Sequence, residues 1–161
     1  MKDWTEAVKT YHDWSQEDSD YTLAINGPAQ ESELERICGK INFPITAEFR
    51  EFYLQVDGFG SQMEEGEVYW LLVPSAHLEL TVEVGRDWMN DTHPEVAQRF
   101  FAFIDWSSGD FTGYLKSEDG ELLPGLWEFS HEYFLHDSTQ DYNDFLIQTD
   151  SSISELLATE P

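Results

Sequence analysis

"RFFAFIDWSSGDFTGYLK", residues 99–116, decides how the rest of the chain is organised. Two runs rich in aromatic and apolar residues flank a polar Ser-Ser-Gly-Asp turn, the pattern of an antiparallel hairpin. Gly109 can take a positive φ and Asp110 can bond nearby backbone, so the pair predicts a hairpin corner; the competing reading makes Asp110 a catalytic acid on a tight loop. "SEDG" at 117–120 predicts another turn before "ELLPGLWEF", so the chain from Arg99 onward reads as an antiparallel meander. Tyr142, Phe145, Leu146, Thr149, Ile153, Leu156 and Leu157 then keep a helical period, which predicts a closing helix that "DSS" interrupts.

Working upstream, Trp4, Ala7, Tyr11 and Trp14 recur at helical spacing over residues 3–15. The polar, acidic "SQEDSDYT" that follows reads as a linker, so residues 1–26 are expected to be an N-terminal amphipathic helix with an acidic linker, and 27–161 the main domain. Leu34, Ile37, Cys38 and Ile41 mark a helix over 29–41 with Cys38 on its buried stripe; Thr46 is a candidate N-cap for a second helix carrying Phe49, Phe52, Tyr53 and Val56, stopped by Gly58. "GFGSQMEEG" reads as a solvated loop, "VYWLLVP" as a buried strand, and 75–91 as a less regular helix. The order predicts a single α+β domain, a mostly antiparallel sheet flanked by helices, with Phe49, Phe52, Phe101, Phe103, Trp127 and Phe145 in its core.

Composition narrows the function. The 161 residues hold 33 Asp and Glu against 8 Lys and Arg, a formal net charge of -25. That field repels phosphate-rich partners and speeds capture of a basic one, which disfavours nucleic acid. Six Trp, seven Tyr and eleven Phe argue for a packed core rather than a disordered acidic chain. The start lacks an apolar signal segment, no apolar run approaches the roughly 18 residues of a membrane span, and a single cysteine permits no internal disulfide. The expectation is a cytoplasmic protein without a membrane partner.

Candidate chemistry is sparse. Asp105 and Asp110 flank the hairpin turn, but carboxylate pairs arise readily in so acidic a chain. His131, Glu132, His136 and Asp137 offer ligand types at a spacing that sets the two histidines out of line on a helix and on opposite faces of a strand, so neither metal nor other cofactor is expected. Cys38 reads as a packed, inert thiol. Exposed aromatics among acids could line a groove for a sugar or a cation.

Four segments in order resemble the SUKH superfamily. "GPAQESELERICGKINFPITAEFREFYLQVDGFG" is similar to its opening pair of helices, "FFAFIDWSSGDFTGYLK" to its strand and Gly-Asp turn, with Gly109 and Asp110 in matching positions, and "GLWEFSHE" and "YNDFLI" to its later strand and closing helix. The resemblance spans about residues 27 to 147, and "HLELTVEVGRDWMNDTHPEVAQ", residues 77–98, fits no sharp motif. It implies a SUKH-like, non-catalytic α+β domain. Bacterial members are widely immunity proteins encoded beside polymorphic or contact-dependent toxins, and others are regulatory interaction proteins. It thus implies a monomer that binds one basic toxin domain one to one, of nuclease or deaminase type, with a several-partner scaffold as the alternative. Glu64, Glu65, Asp105, Asp110, Glu118 and Asp119 are the candidate partner contacts, and Gly109 and Asp110 the fold-signature turn.

Overall fold

In the computed structural model, which describes residues 1–64 and 66–158, the chain runs α1 (Trp4–Ser15), β1 (Thr22–Ile25), α2 (Glu31–Ile41), α3 (Ala47–Tyr53), β2 (Phe59–Gln62) and β3 (Val68–Leu72). It continues α4 (Leu78–Asn90), α5 (Pro94–Ala97), β4 (Phe100–Asp105), β5 (Phe111–Leu115), β6 (Leu126–Phe129), β7 (Leu146–Asp150) and α6 (Ile153–Ala158). Among the described residues seven strands lie in the sheet in chain order, each antiparallel to the next. The fold is a single α+β domain built on one antiparallel meander.

Alternation along β4 and β5 divides the core between the two faces of the sheet. Phe101, Phe103 and Tyr114 pack with Trp4 and Val8 of α1, Leu34 and Cys38 of α2, Phe49 and Phe52 of α3, and Ile153 and Leu156 of α6. Phe100, Ala102, Phe111 and Leu115 turn the other way, onto Met89 of α4, Val96 and Ala97 of α5, and Phe129, Phe134 and Phe145. Each fully buried Phe contributes about 1.5–3 kcal/mol of transfer free energy, so the aromatic residues anchor both layers. Trp127 is the exception among the expected core: it is half-buried beside the second layer.

Local signals account for the helix starts. Asp3 accepts from Glu6 N at 3.1 Å and Thr46 Oγ1 from Phe49 N at 3.0 Å, each satisfying a first-turn amide that the helix leaves unpaired. α2 stops at Asn42, which takes the left-handed conformation (φ 55°). α3 ends at Tyr53, short of Gly58, and the chain turns through 54–58 before entering β2.

Four expectations are corrected. Residues 1–26 are not a helix and linker alone: Trp4 and Val8 pack into the main core, and Thr22–Ile25, expected within the linker region, forms β1 against β2. The acidic residues before it hid a short strand. "GFGSQMEEG" holds β2 as well as a loop; Gly60 is required there because a Cβ would press into the Tyr69 carbonyl. β3 is half-exposed rather than buried, since Tyr69 and its neighbours face an opening described below.

The closing helix is the fourth. Residues 146–150 are strand β7, paired with β6, and only 153–158 are helical. The helical period was carried by two separate elements. Ser152 Oγ accepts from Glu155 N at 3.0 Å and Glu48 from Ile153 N at 2.7 Å, so a new helix starts at 153 while the sheet ladder satisfies the backbone before it.

Candidate functional site

The strand order sets which turns share an end of the sheet. The turns β2–β3 and β4–β5 and the exit from β6 lie at one end of the sheet; the β3–α4 and β5–β6 connections lie at the other. Glu64, Asp105 and Asp110 therefore share an end, joined by the exposed acids Asp13, Glu17, Asp18, Asp20, Glu67 and Glu132. Glu118 and Asp119 sit in the β5–β6 turn, at the opposite end. The five described candidates do not form one patch, and Glu65 lies outside the described residues.

Asp110 has a partner that local sequence did not suggest. Its Oδ1 accepts from the backbone N–H of His131 at 2.9 Å and from the ring Nδ1 at 2.6 Å, 21 residues further on. Because a carboxylate can only accept, that contact places the imidazole proton on Nδ1. The hairpin itself closes through Trp106 N to Asp110 O, while the Asp110 side chain ties the β4–β5 turn to the end of β6. Gly109 adopts φ +99°, and a Cβ there would come within 3.2 Å of the His131 ring. The Gly-Asp pair is thus a turn device with a long-range clasp.

β3 and β4 meet at one ladder position, Leu72 opposite Ile104, followed by a bond from Val73 N to Phe103 O. Toward the acidic end the strands part, which leaves Val68–Leu71 without a ladder partner on the β4 side among the described residues. Two clefts flank this gap. The first, about 350 Å³, is lined by Tyr11 and His12 of α1, Tyr21, Phe59, Tyr69, Leu71, Asp105 and Trp106. The second, about 310 Å³, is lined by Val68, Trp70, His77, Leu80 and Val84, and shares Tyr69, Asp105 and Ser107 with the first.

The first cleft is braced by its own hydrogen bonds. Trp106 Nε1–H donates to the buried Thr112 Oγ1 at 2.9 Å, and Asp105 Oδ1 accepts from Ser107 N at 2.8 Å. Burial lowers the His12 pKa, with Asp13 opposing, and among the described residues its Nε2 has no hydrogen-bond partner. Burial and the Asp150 carboxylate push the Tyr11 phenol up, so it stays neutral. Sequence reasoning did not bring Tyr11, His12, Tyr21 and Trp106 together; the β-prone "YTLAI" after the acids was the available signal.

The remaining candidates fall elsewhere. Trp88 lies 6.0 Å from the His131 ring and 5.7 Å from His136, and among the described residues no cluster of three His, Cys, Asp or Glu side chains could hold a metal ion. Cys38 is buried, and desolvation pushes its thiol up to about 11. Among the described residues no helix is long and apolar enough to cross a membrane. No model of a known protein family matches the chain, and no curated protein matches it.

Proposed function

We propose that the protein is a non-catalytic inhibitor that captures one basic protein domain, acting as a cytoplasmic immunity protein against a cognate toxin, as the SUKH resemblance implies. The observation that carries this reading is the net charge of -25, left little opposed because five of the eight cations are held in ion pairs or on backbone carbonyls. Arg36 pairs with Glu33, Lys40 with Glu79, and Arg50 with both Glu31 and Glu35. Arg86 is spent on the carbonyls of Phe100 and Gln98, and Arg99 on that of Lys116. The exposed acids of the β2–β3 and β4–β5 end, Glu64, Glu67 and Glu132 with Asp13, Glu17, Asp18 and Asp20, face solvent, where they attract a basic surface and occupy the positions that substrate phosphates would take on it.

Aromatic side chains among these acids supply what charge does not. Tyr69 is half-exposed, with Tyr21 6.2 Å from it, and Trp70 and Trp106 line the clefts beside it. Such residues are the usual source of retained affinity at interfaces, whereas long-range charge sets encounter rate. Co-purification of the tagged chain from its native host tests the reading. A one-to-one complex with a basic protein, whose toxicity in a host cell is abolished by co-expression of this chain, supports it. Recovery of several unrelated partners, or protection lacking with every basic partner, replaces it with the scaffold alternative.

A further inference from the structure

We propose that the cleft between α1, β2, β3 and the β4–β5 turn is the seat of one arginine side chain, presented by an extended segment of the partner that adds to the open side of β3. The proposal rests on the basic-partner reading and specifies how that partner is held. Three independent features of the cleft select this occupant.

The lining is that of a cation cage. Tyr11, Tyr21, Tyr69 and Trp106 bring aromatic rings to the cleft and Asp105 a carboxylate, while among the described residues neither Lys nor Arg lines it. A guanidinium stacks on such rings and forks onto a carboxylate, whereas an ammonium is a more strongly hydrated point charge; arginine is therefore favoured over lysine. His12, nine-tenths buried and with no partner for Nε2 among the described residues, adds a neutral wall rather than a competing cation.

The cage is set before binding. The Trp106 indole is fixed on Thr112 and the Asp105 carboxylate on Ser107, so little ordering accompanies entry of the ligand. The acids that crowd this end of the sheet, from Asp13 and Glu17 to Glu64 and Glu67, make the approach favourable to a positively charged segment.

The main chain beside the cage is open. Among the described residues Val68–Leu71 have no ladder partner on the β4 side, and two clefts flank this stretch, Leu71 lining the first, Val68 and Trp70 the second, and Tyr69 both. Strand addition needs that arrangement: backbone groups along the edge and alternating receptacles for successive side chains. The arginine enters the first cleft, and the apolar neighbour on either side of it enters the second.

The probe is a blocked seven-residue peptide with one central arginine flanked by valine and threonine, titrated into the isotopically labelled full chain and followed by amide and indole shifts. Shifts at the Trp106 indole and the Val68–Leu71 amides are expected, with the citrulline version of the peptide at least fivefold weaker. Asp105→Asn, which keeps an acceptor for Ser107 N, and Tyr69→Ala, at a half-exposed ring, should each weaken binding at least fivefold while melting near the parent. The Glu118→Gln, Asp119→Asn control removes two charges at the far end and should change it less than twofold. Equal binding by the citrulline peptide, shifts spread over the acidic surface, absence of binding, or unaffected Asp105 and Tyr69 variants would each overturn the proposal. A basic protein partner still bound by the Asp105→Asn, Tyr69→Ala double variant as by the parent would remove the seat and leave the partner reading standing; cleft-specific binding of the peptide without any basic protein partner would do the reverse.

Discussion

Removing the Asp110 carboxylate should destabilise the fold before it disturbs recognition. In Asp110→Ala the His131 backbone N–H, held at 2.9 Å, and its ring Nδ1, held at 2.6 Å, lose their acceptor together. Hydrogen bonds to a charged group contribute about 1.5–3 kcal/mol each when buried. Here the two side chains are 23% and 32% exposed, so water replaces part of the loss. A total of about 1–2 kcal/mol follows from that discount. For a chain of this size each kcal/mol moves Tm by about 2–4 °C, so a fall of roughly 2–8 °C is expected. Thermal melts of Asp110→Ala, His131→Ala and the double variant separate the clasp from incidental strain: the double variant should lose less than the sum of the singles, by about 1 kcal/mol. A single variant melting within a degree of the parent, or strict additivity, refutes the long-range clasp.

Phe52→Ala and Phe103→Ala each empty a fully buried site and should cost about 3–5 kcal/mol, read by urea denaturation; unchanged midpoints would mean that the core is assigned to the wrong faces. Glu128→Gln should stabilise the protein at pH 7, because burial and then the Asp110 and Asp150 carboxylates raise the Glu128 pKa above its ordinary 4.5. The folded state holds that proton more tightly than the unfolded chain, so the ionised form is a cost present in full above the folded pKa and absent below about 4.5; a stabilisation that persists at pH 3.5 contradicts it. With its thiol pushed up to about 11, Cys38 should resist disulfide exchange at pH 8 in the native state and react promptly in denaturant; native labelling at the rate of a free thiol would show the α2 stripe to be open.

Much of the fold was legible because strong local signals and tertiary packing agreed. Thr46, Phe49 and Phe52 marked the start and face of α3, and the hairpin at 99–116 stood out because its alternating aromatics serve two different layers. The terminal elements were less legible. Tyr142 to Leu157 satisfied a helical period, yet β6 offers residues 146–150 a ladder that outweighs it, leaving Ile147, Gln148 and Thr149 exposed on an edge strand with little pattern to read. β1 and β2 are four residues each and lie among glycines and acids, so neither shows alternation long enough to detect. The site was harder still, since its walls come from α1, β2, β3 and the β4–β5 turn. Its existence depends on β3 and β4 parting after one pair, which no local pattern encodes. Asp105 was named from its place beside the turn; Tyr11, His12 and Tyr21 were hidden in a stretch whose acidity resembled a linker.

The claim that acidic charge steers a basic partner onto this surface is tested most directly by stopped-flow association of the chain with the basic protein that co-purifies with it, measured from low to high salt. Screening shortens the reach of the field from about 30 Å at 0.01 M to 3 Å at 1 M salt. The association rate should therefore fall tenfold or more, while dissociation, governed by packed aromatic contacts, changes much less. A rate that does not respond to salt would contradict electrostatic capture and, with it, the function proposed for this protein.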